Sequence, residues 1–205
     1  MKQFLILCAA MLVSAMFVSI GAQAQTMSGM KLGDDTVDVT LALGPPTSTN
    51  QTFTQKELKW DLPNGNELTV NVNASGKVTY IQTGWADKPD GAKSGMYDFE
   101  YGKTTLTEIR AKLGSNGMSY VKRRPLVSLP EGVVLINSYE VGSAILTFYA
   151  VVAIEDVAKG RAEAAKGGLA LFAKLTSISI ATPEYALAEW GEPLYPSGYK
   201  RVQAK

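Results

Sequence analysis

Residues 60–85, "WDLPNGNELTVNVNASGKVTYIQTGW", carry the strongest structural signal in this chain. Leu68, Val70 and Val72 alternate with Glu67, Thr69, Asn71 and Asn73. A period of two places the first set on one face of a strand and the second on the other. Asn64-Gly65 and Ser75-Gly76 supply the positive-φ residues that tight hairpins demand. The stretch therefore predicts three antiparallel strands with one dry face and one wet face.

Upstream, "TVDVTLAL" (36–43) lies between Asp35, an N-cap candidate, and Gly44-Pro45-Pro46, which ends any helix. Its Val37, Val39 and Leu41 alternate as a strand would, and the helix reading rests on a clearer counterpart. That counterpart is "YGKTTLTEIRAKLGSNG" (101–117). There Leu106, Ile109 and Leu113 share one helical face, Thr105 and Glu108 have capping-box spacing, and Gly114 provides the stop. Period-two segments follow again: "GVVLINSYEV" (132–141) and "SAILTFYAVVAI" (143–154) read as a hairpin around Gly142, and "TSISIA" (176–181) as a last strand. Residues 155–175 are rich in Ala and Lys and read as a helical insertion.

The same order of elements thus occurs twice. The expected fold class is α+β, with two tandem units, each a short helical N-terminal part followed by an antiparallel β-sheet. Residues 25–85 form the first unit, 86–96 ("ADKPDGAKSGM") a linker, 97–190 the second unit, and 191–205 a C-terminal tail.

Residues 1–24 read as a secretory signal: Lys2, an uncharged apolar run over 4–20, and Ala22-Gln23-Ala24 as a small-x-small cleavage pattern. Cys8 sits inside the apolar run, so it is not a lipidation site, and the mature chain has no cysteine. Histidine is absent throughout. These absences exclude cysteine nucleophiles, Ser-His-Asp triads and His/Cys zinc sites. The acidic stretches lack the ligand spacing of a calcium loop. No catalytic residue, cofactor or metal is expected.

The chain carries 20 basic and 19 acidic residues. Loss of the signal removes only Lys2, leaving a neutral protein, unlike a nucleic-acid binder. The mature chain holds no transmembrane segment, and a monomer is expected.

Binding candidates are few. Trp60, Trp85 and Trp190 are candidate anchors, since exposed tryptophan concentrates binding energy, although a tryptophan at a strand end also covers a core edge. Tyr97, Phe99 and Tyr101 share a face if the stretch is extended, either as a recognition stripe or as packing under the sheet. Lys122-Arg123-Arg124 is the one dense basic cluster, either a solvated strand end or loop or a contact for an anion or acidic partner. The candidate partner-binding set is Trp85, Tyr97, Tyr101, Tyr120, Arg123 and Trp190.

One resemblance follows from the repeated order. Gly33, Leu43-Gly44-Pro45-Pro46, Trp60 and Gly76-Lys77-Val78 resemble the pattern of small outer-membrane assembly lipoproteins of the BamE or SmpA/OmlA type. Two such units in tandem are similar to the β-lactamase inhibitor protein architecture. The resemblance implies an exported, periplasmic or secreted, non-catalytic scaffold that binds an envelope or secreted protein through its sheet face. The sequence departs from it in having no lipidated cysteine, which removes the lipid anchor, and none of the inhibitor proteins' disulfides. A small-molecule or lipid carrier, built around 143–154 and 155–175, is the alternative, with hydrolase inhibition a special case of protein binding.

Overall fold

Strand alternation meets its expected partners across one large sheet. The computed structural model describes residues 26–52, 54–62, 65–85 and 93–202, so the signal segment and most of the linker lie outside the described residues. Two short strands, β1 (Thr26–Met27) and β2 (Met30–Lys31), precede helix α1 (Thr36–Leu43). Strands β3 (Ser48–Gln51), β4 (Gln55–Asp61), β5 (Glu67–Asn73) and β6 (Val78–Gly84) follow. Then come α2 (Leu106–Leu113), β7 (Ser119–Tyr120), β8 (Leu126–Leu129), β9 (Gly132–Val141) and β10 (Ala144–Ala153). Helix α3 (Ile154–Ala162) and two 3-10 turns (Ala164–Lys166 and Gly168–Leu171) lead to β11 (Lys174–Ala181), α4 (Pro183–Trp190) and β12 (Pro193–Leu194).

The main sheet has eight strands in the order β3-β4-β5-β6-β11-β10-β9-β8, every neighbouring pair antiparallel. The two helix-plus-sheet units expected from the sequence therefore do not build separate sheets. Four strands follow each of α1 and α2 in this sheet, and β6 pairs with β11, Ile81 opposite Ile180, to join the halves. Strand β3, a run of Ser-Thr-Asn-Gln at the exposed edge, is absent from the sequence reading, and β4 begins at Gln55 rather than at Trp60.

Local chemistry explains the elements that were anticipated. In α2 the Thr105 hydroxyl accepts from Glu108 N, the Glu108 carboxylate accepts from Thr105 N at 2.7 Å, and Gly114 takes φ 64°. Asp35 precedes α1, but its carboxylate binds Lys77 Nζ at 2.9 Å instead of capping the helix. The Thr36 hydroxyl ties that helix start to the carbonyl of Gly76 at 2.7 Å, on the β5–β6 turn. Val37 and Leu41 stay exposed while Val39 is buried, which is why the alternation there did not mark a strand.

One face of the sheet packs under α1, α2 and α3. Leu68, Val70, Ile81, Ile178, Leu146 and Phe148 form its centre with Leu106 and Ile109 of α2. Each such side chain stabilises the fold by about 1.5–3 kcal/mol relative to exposure. Val157, Ala170 and Ala173 from the segment after β10 belong to the same core, so that segment packs onto the sheet. The stretch 97–101 is not the extended stripe anticipated: Tyr97 and Asp98 have φ 50° and 61°, which turn the chain. The opposite face carries α4, which starts with Thr182 accepting from Tyr185 N and with Pro183 in the first turn.

Candidate functional site

The second face is built from the other parity of the same strands. Successive cross-strand rows place Tyr80 beside Ala181 and Ile145, then Gln82 beside Ser179 and Thr147, then Ser177 beside Tyr149 and Ile136. Several of these residues are polar yet buried, and they bond to one another. Ser138 and Thr147 hydroxyls lie 2.8 Å apart, Gln82 Nε2 donates to Ser177 Oγ at 2.8 Å, and Ser177 Oγ donates to the Thr83 carbonyl at 2.8 Å. The wet face expected from β5 is therefore dry at Asn71, whose Nδ2 donates to the Tyr185 hydroxyl at 2.7 Å.

Helix α4 and the segment 118–123 lie over these rows. Lys122 N donates to the Trp190 carbonyl, Val121 N to that of Glu192, and Met118 pairs with Ser138 on β9. Strand β12 pairs with β7, Pro193 opposite Tyr120. These bonds hold an aromatic cluster in place. Tyr80 stacks on Tyr185 at 4.9 Å, and Trp190 meets Tyr80, Tyr120 and Tyr185 edge-on at 5.2–6.2 Å. Arg123 lies in the cluster, its Cζ 3.9 Å from the Trp190 ring and 4.8 Å from the Tyr149 ring.

Electrostatics at this point are unusual. Burial lowers the Arg123 pKa, with partial compensation from Tyr80, Tyr185 and Tyr120. Burial also raises the phenols, Tyr80 to about 12 and Tyr120 and Tyr185 upward as well, so the groups facing Arg123 are neutral at physiological pH. Arg123 Nη1 is buried without an acceptor, and Arg123 forms no ion pair among the described residues. Glu140, on the same face, is held by the hydroxyls of Tyr195 and Tyr199, both at 3.1 Å, and by Arg201 at 3.6 Å.

Of the six candidates from the sequence, Tyr120, Arg123 and Trp190 come together here. Trp85, Tyr97 and Tyr101 do not. Tyr101 is buried with its hydroxyl 2.6 Å from that of Thr83, so it is a core residue with no surface to offer. Tyr97 leans on Phe99 at 5.7 Å, and Trp85 packs against the core beside Gly102. Tyr120 and Trp190 are themselves at least nine-tenths buried, which leaves Arg123 as the cluster's polar outlet. Sequence reasoning missed Tyr80, Tyr149 and Tyr185. The Thr182-Pro183 start and Gly191 stop of α4 were the available signal for Tyr185.

Two open clefts lie elsewhere. One of about 610 Å³ runs between Arg110, Asn137, Leu126, Leu135 and Tyr195. The other, about 500 Å³, is bordered by Trp85, Val151, Phe172 and Lys174 with Glu131 and Asp156. No set of three or more Cys, Asp or Glu placed to hold a metal ion occurs among the described residues.

No family model matches the chain, and no curated protein matches it in sequence. Among solved structures, the chain is similar to a cysteine-rich secretory protein from Staphylococcus aureus, with TM-score 0.52 and 12% identity over 87% of this chain and 53% of that one. It is also similar to an extracellular protein containing an SCP domain from Bacillus anthracis, with TM-score 0.47 and 9% identity over 76% of this chain and 45% of that one. A DUF4309 family protein from Bacillus subtilis has TM-score 0.43 and 10% identity over 79% of this chain and 84% of that one. The chain thus spans about half the length of the first two. At such identity the staphylococcal likeness is one of fold.

That likeness overturns the resemblance to outer-membrane assembly lipoproteins and β-lactamase inhibitor proteins. The motifs behind it have local duties that many folds share. Gly33, Gly44 and Gly76 all take positive φ, at 92°, 80° and 74°, to turn the chain at the ends of α1 and of the β5–β6 hairpin. The Trp60 indole donates to the Gly44 carbonyl at 3.1 Å, a helix-end contact. Among the described residues no helix is long and apolar enough to cross a membrane.

Proposed function

We propose that the protein is an exported, non-catalytic binding scaffold that holds a protein partner on the second face of its sheet. The observation that carries this reading is Arg123: a cation set among aromatic rings, whose buried Nη1 has no acceptor among the described residues. A charge kept this way costs stability, and such costs concentrate at functional sites. The same segments expose Val121 and Leu187, and Leu194 on β12 and Tyr195 just after it are exposed too, an apolar set suited to a protein surface. Export rests on the sequence of residues 1–24, and the fold likeness to a secretory protein supports it. The matching order of a helix and four strands on each side of the β6–β11 seam supports two related units fused into one sheet.

The test is site-specific photo-crosslinking in the source cell. A crosslinker at Val121 or Leu187 is expected to trap one protein in stoichiometric yield, and a crosslinker at Val37, on α1 across the sheet, is expected to trap none. Equal adducts from all three positions, or none from Val121 and Leu187, would overturn the reading.

A further inference from the structure

We infer that Arg123 receives a carboxylate from an acidic side chain of the protein partner. This inference rests on the protein-binding reading above and specifies its chemistry. The guanidinium carbon lies 3.9 Å over the Trp190 ring, a contact made with the π-face, whereas a guanidinium's N–H donors lie in its own plane and call for acceptors there. Among the described residues the buried Nη1 meets no acceptor, and the guanidinium enters no ion pair. Of the acids of this face, Glu140 is held by Tyr195, Tyr199 and Arg201, Glu57 and Glu67 by Lys59, and Glu189 by Gln55, while the exposed Glu184 and Glu192 form no ion pair with Arg123 among the described residues. Tyr80, Tyr120 and Tyr185 nearby are phenols, neutral at physiological pH and pushed further up by burial, so they supply no negative charge.

A carboxylate fits this vacancy of charge better than a phosphate does. It is planar, accepts two parallel N–H bonds from the guanidinium, and carries the single charge that one Arg balances. A dianion would bring a second charge into a neutral aromatic surround. Lys122 is not placed to balance it, because its Nζ turns to the Ala188 carbonyl at 3.4 Å. The exposed Val121 and Leu187 beside the site favour a side chain presented on a protein over a free acid.

The experiment follows the Arg123 Nε–Hε resonance of the full chain by NMR. The probes are acetyl-Gly-Glu-Gly-amide, its Gln counterpart, acetate and inorganic phosphate. The Glu peptide is expected to shift the resonance saturably at millimolar concentration and the other three to bind at least tenfold more weakly. Arg123→Lys keeps the charge and the fold but loses the planar fork, and its Trp190 fluorescence response to the Glu peptide is expected to weaken about tenfold. An equal response to the Gln peptide, to acetate or to phosphate would overturn the inference. A partner trapped through Val121 equally well by wild type and by Arg123→Lys would also overturn it, while leaving the scaffold reading intact. Glu-peptide binding with no trapped partner would instead reject the scaffold reading and, with it, the partner as the source of the carboxylate.

Discussion

Replacing Gly102 by Ala tests whether Trp85 is a packing element or a free surface anchor. Gly102 has φ +70°, and a Cβ there would lie 2.3 Å from Trp85 Cη2 and 2.8 Å from Cζ2. Carbon atoms in contact prefer about 3.5–4.0 Å, so the ring would have to retreat by roughly 1 Å or more. Neither partner is free to slide. Trp85 N donates to the Thr176 carbonyl at 2.9 Å and Gly102 N to that of Leu175 at 2.8 Å, which pins both to β11. The left-handed backbone costs Ala about 1–2 kcal/mol, and overpacking adds about 1–3 kcal/mol. Gly102→Ala is therefore expected to lose about 2–5 kcal/mol, or roughly 4–20 °C in Tm for a chain of this size. In a Trp85→Leu background only the backbone cost should remain. Urea midpoints of the four proteins, read by circular dichroism, give the coupling directly. A coupling below about 0.5 kcal/mol would mean that the indole does not rest on Gly102 and would refute the reasoning.

Two further outcomes follow from the same geometry. Burial raises the Tyr80 pKa from 10.0 to about 12, so the folded protein holds a proton that the unfolded chain releases first. The resulting stability is complete below pH 10 and is lost as pH rises towards about 12. It amounts to about 2–3 kcal/mol for Tyr80 alone, with Tyr120, Tyr139 and Tyr185 adding in the same direction. Urea midpoints across this range should fall steeply, and Tyr80→Phe should flatten the fall; an unchanged slope would contradict the burial. Thr105→Ala removes one half of the capping box on α2 and should cost about 1 kcal/mol, measured by thermal or urea unfolding.

What could be read beforehand was what short-range chemistry fixes. The capping box of α2, the turns at Gly76 and Gly142 and the β9–β10 hairpin each depend on residues a few positions apart, and each was legible. Strand β3 was not, because both of its faces are exposed and no apolar alternation records it. Nor was the β6–β11 seam, which pairs Gln82 with Ser179 and leaves no local trace. The Tyr97–Tyr101 stripe misled for a related reason: alternation implies a shared face only in extended chain, and Tyr97 and Asp98 are not extended. For the site, the basic cluster and Trp190 were visible, whereas Tyr80, Tyr149 and Tyr185 reach Arg123 only through sheet pairing and the docking of α4.

The two faces of the sheet solve different problems. The face under α1, α2 and α3 is filled mostly with aliphatic and aromatic side chains, and its Arg110 has an acceptor within the fold, the Asn137 Oδ1 at 2.8 Å. The face under α4 buries hydroxyls and amides, and those bonded in chains across the strands, such as Gln82–Ser177–Thr83 and Ser138–Thr147, hold the rows in fixed positions. A rigid polar floor of this kind preorganises whatever stands above it. Arg123 stands above it among closed-up rings, with a charge that burial disfavours and no ion-pair partner among the described residues. An apolar side chain of similar volume would pack between Trp190 and Tyr149 without that penalty. On the function proposed above, the guanidinium serves a group from outside the fold, and a carboxylate brought by another protein would meet its geometry and its charge together.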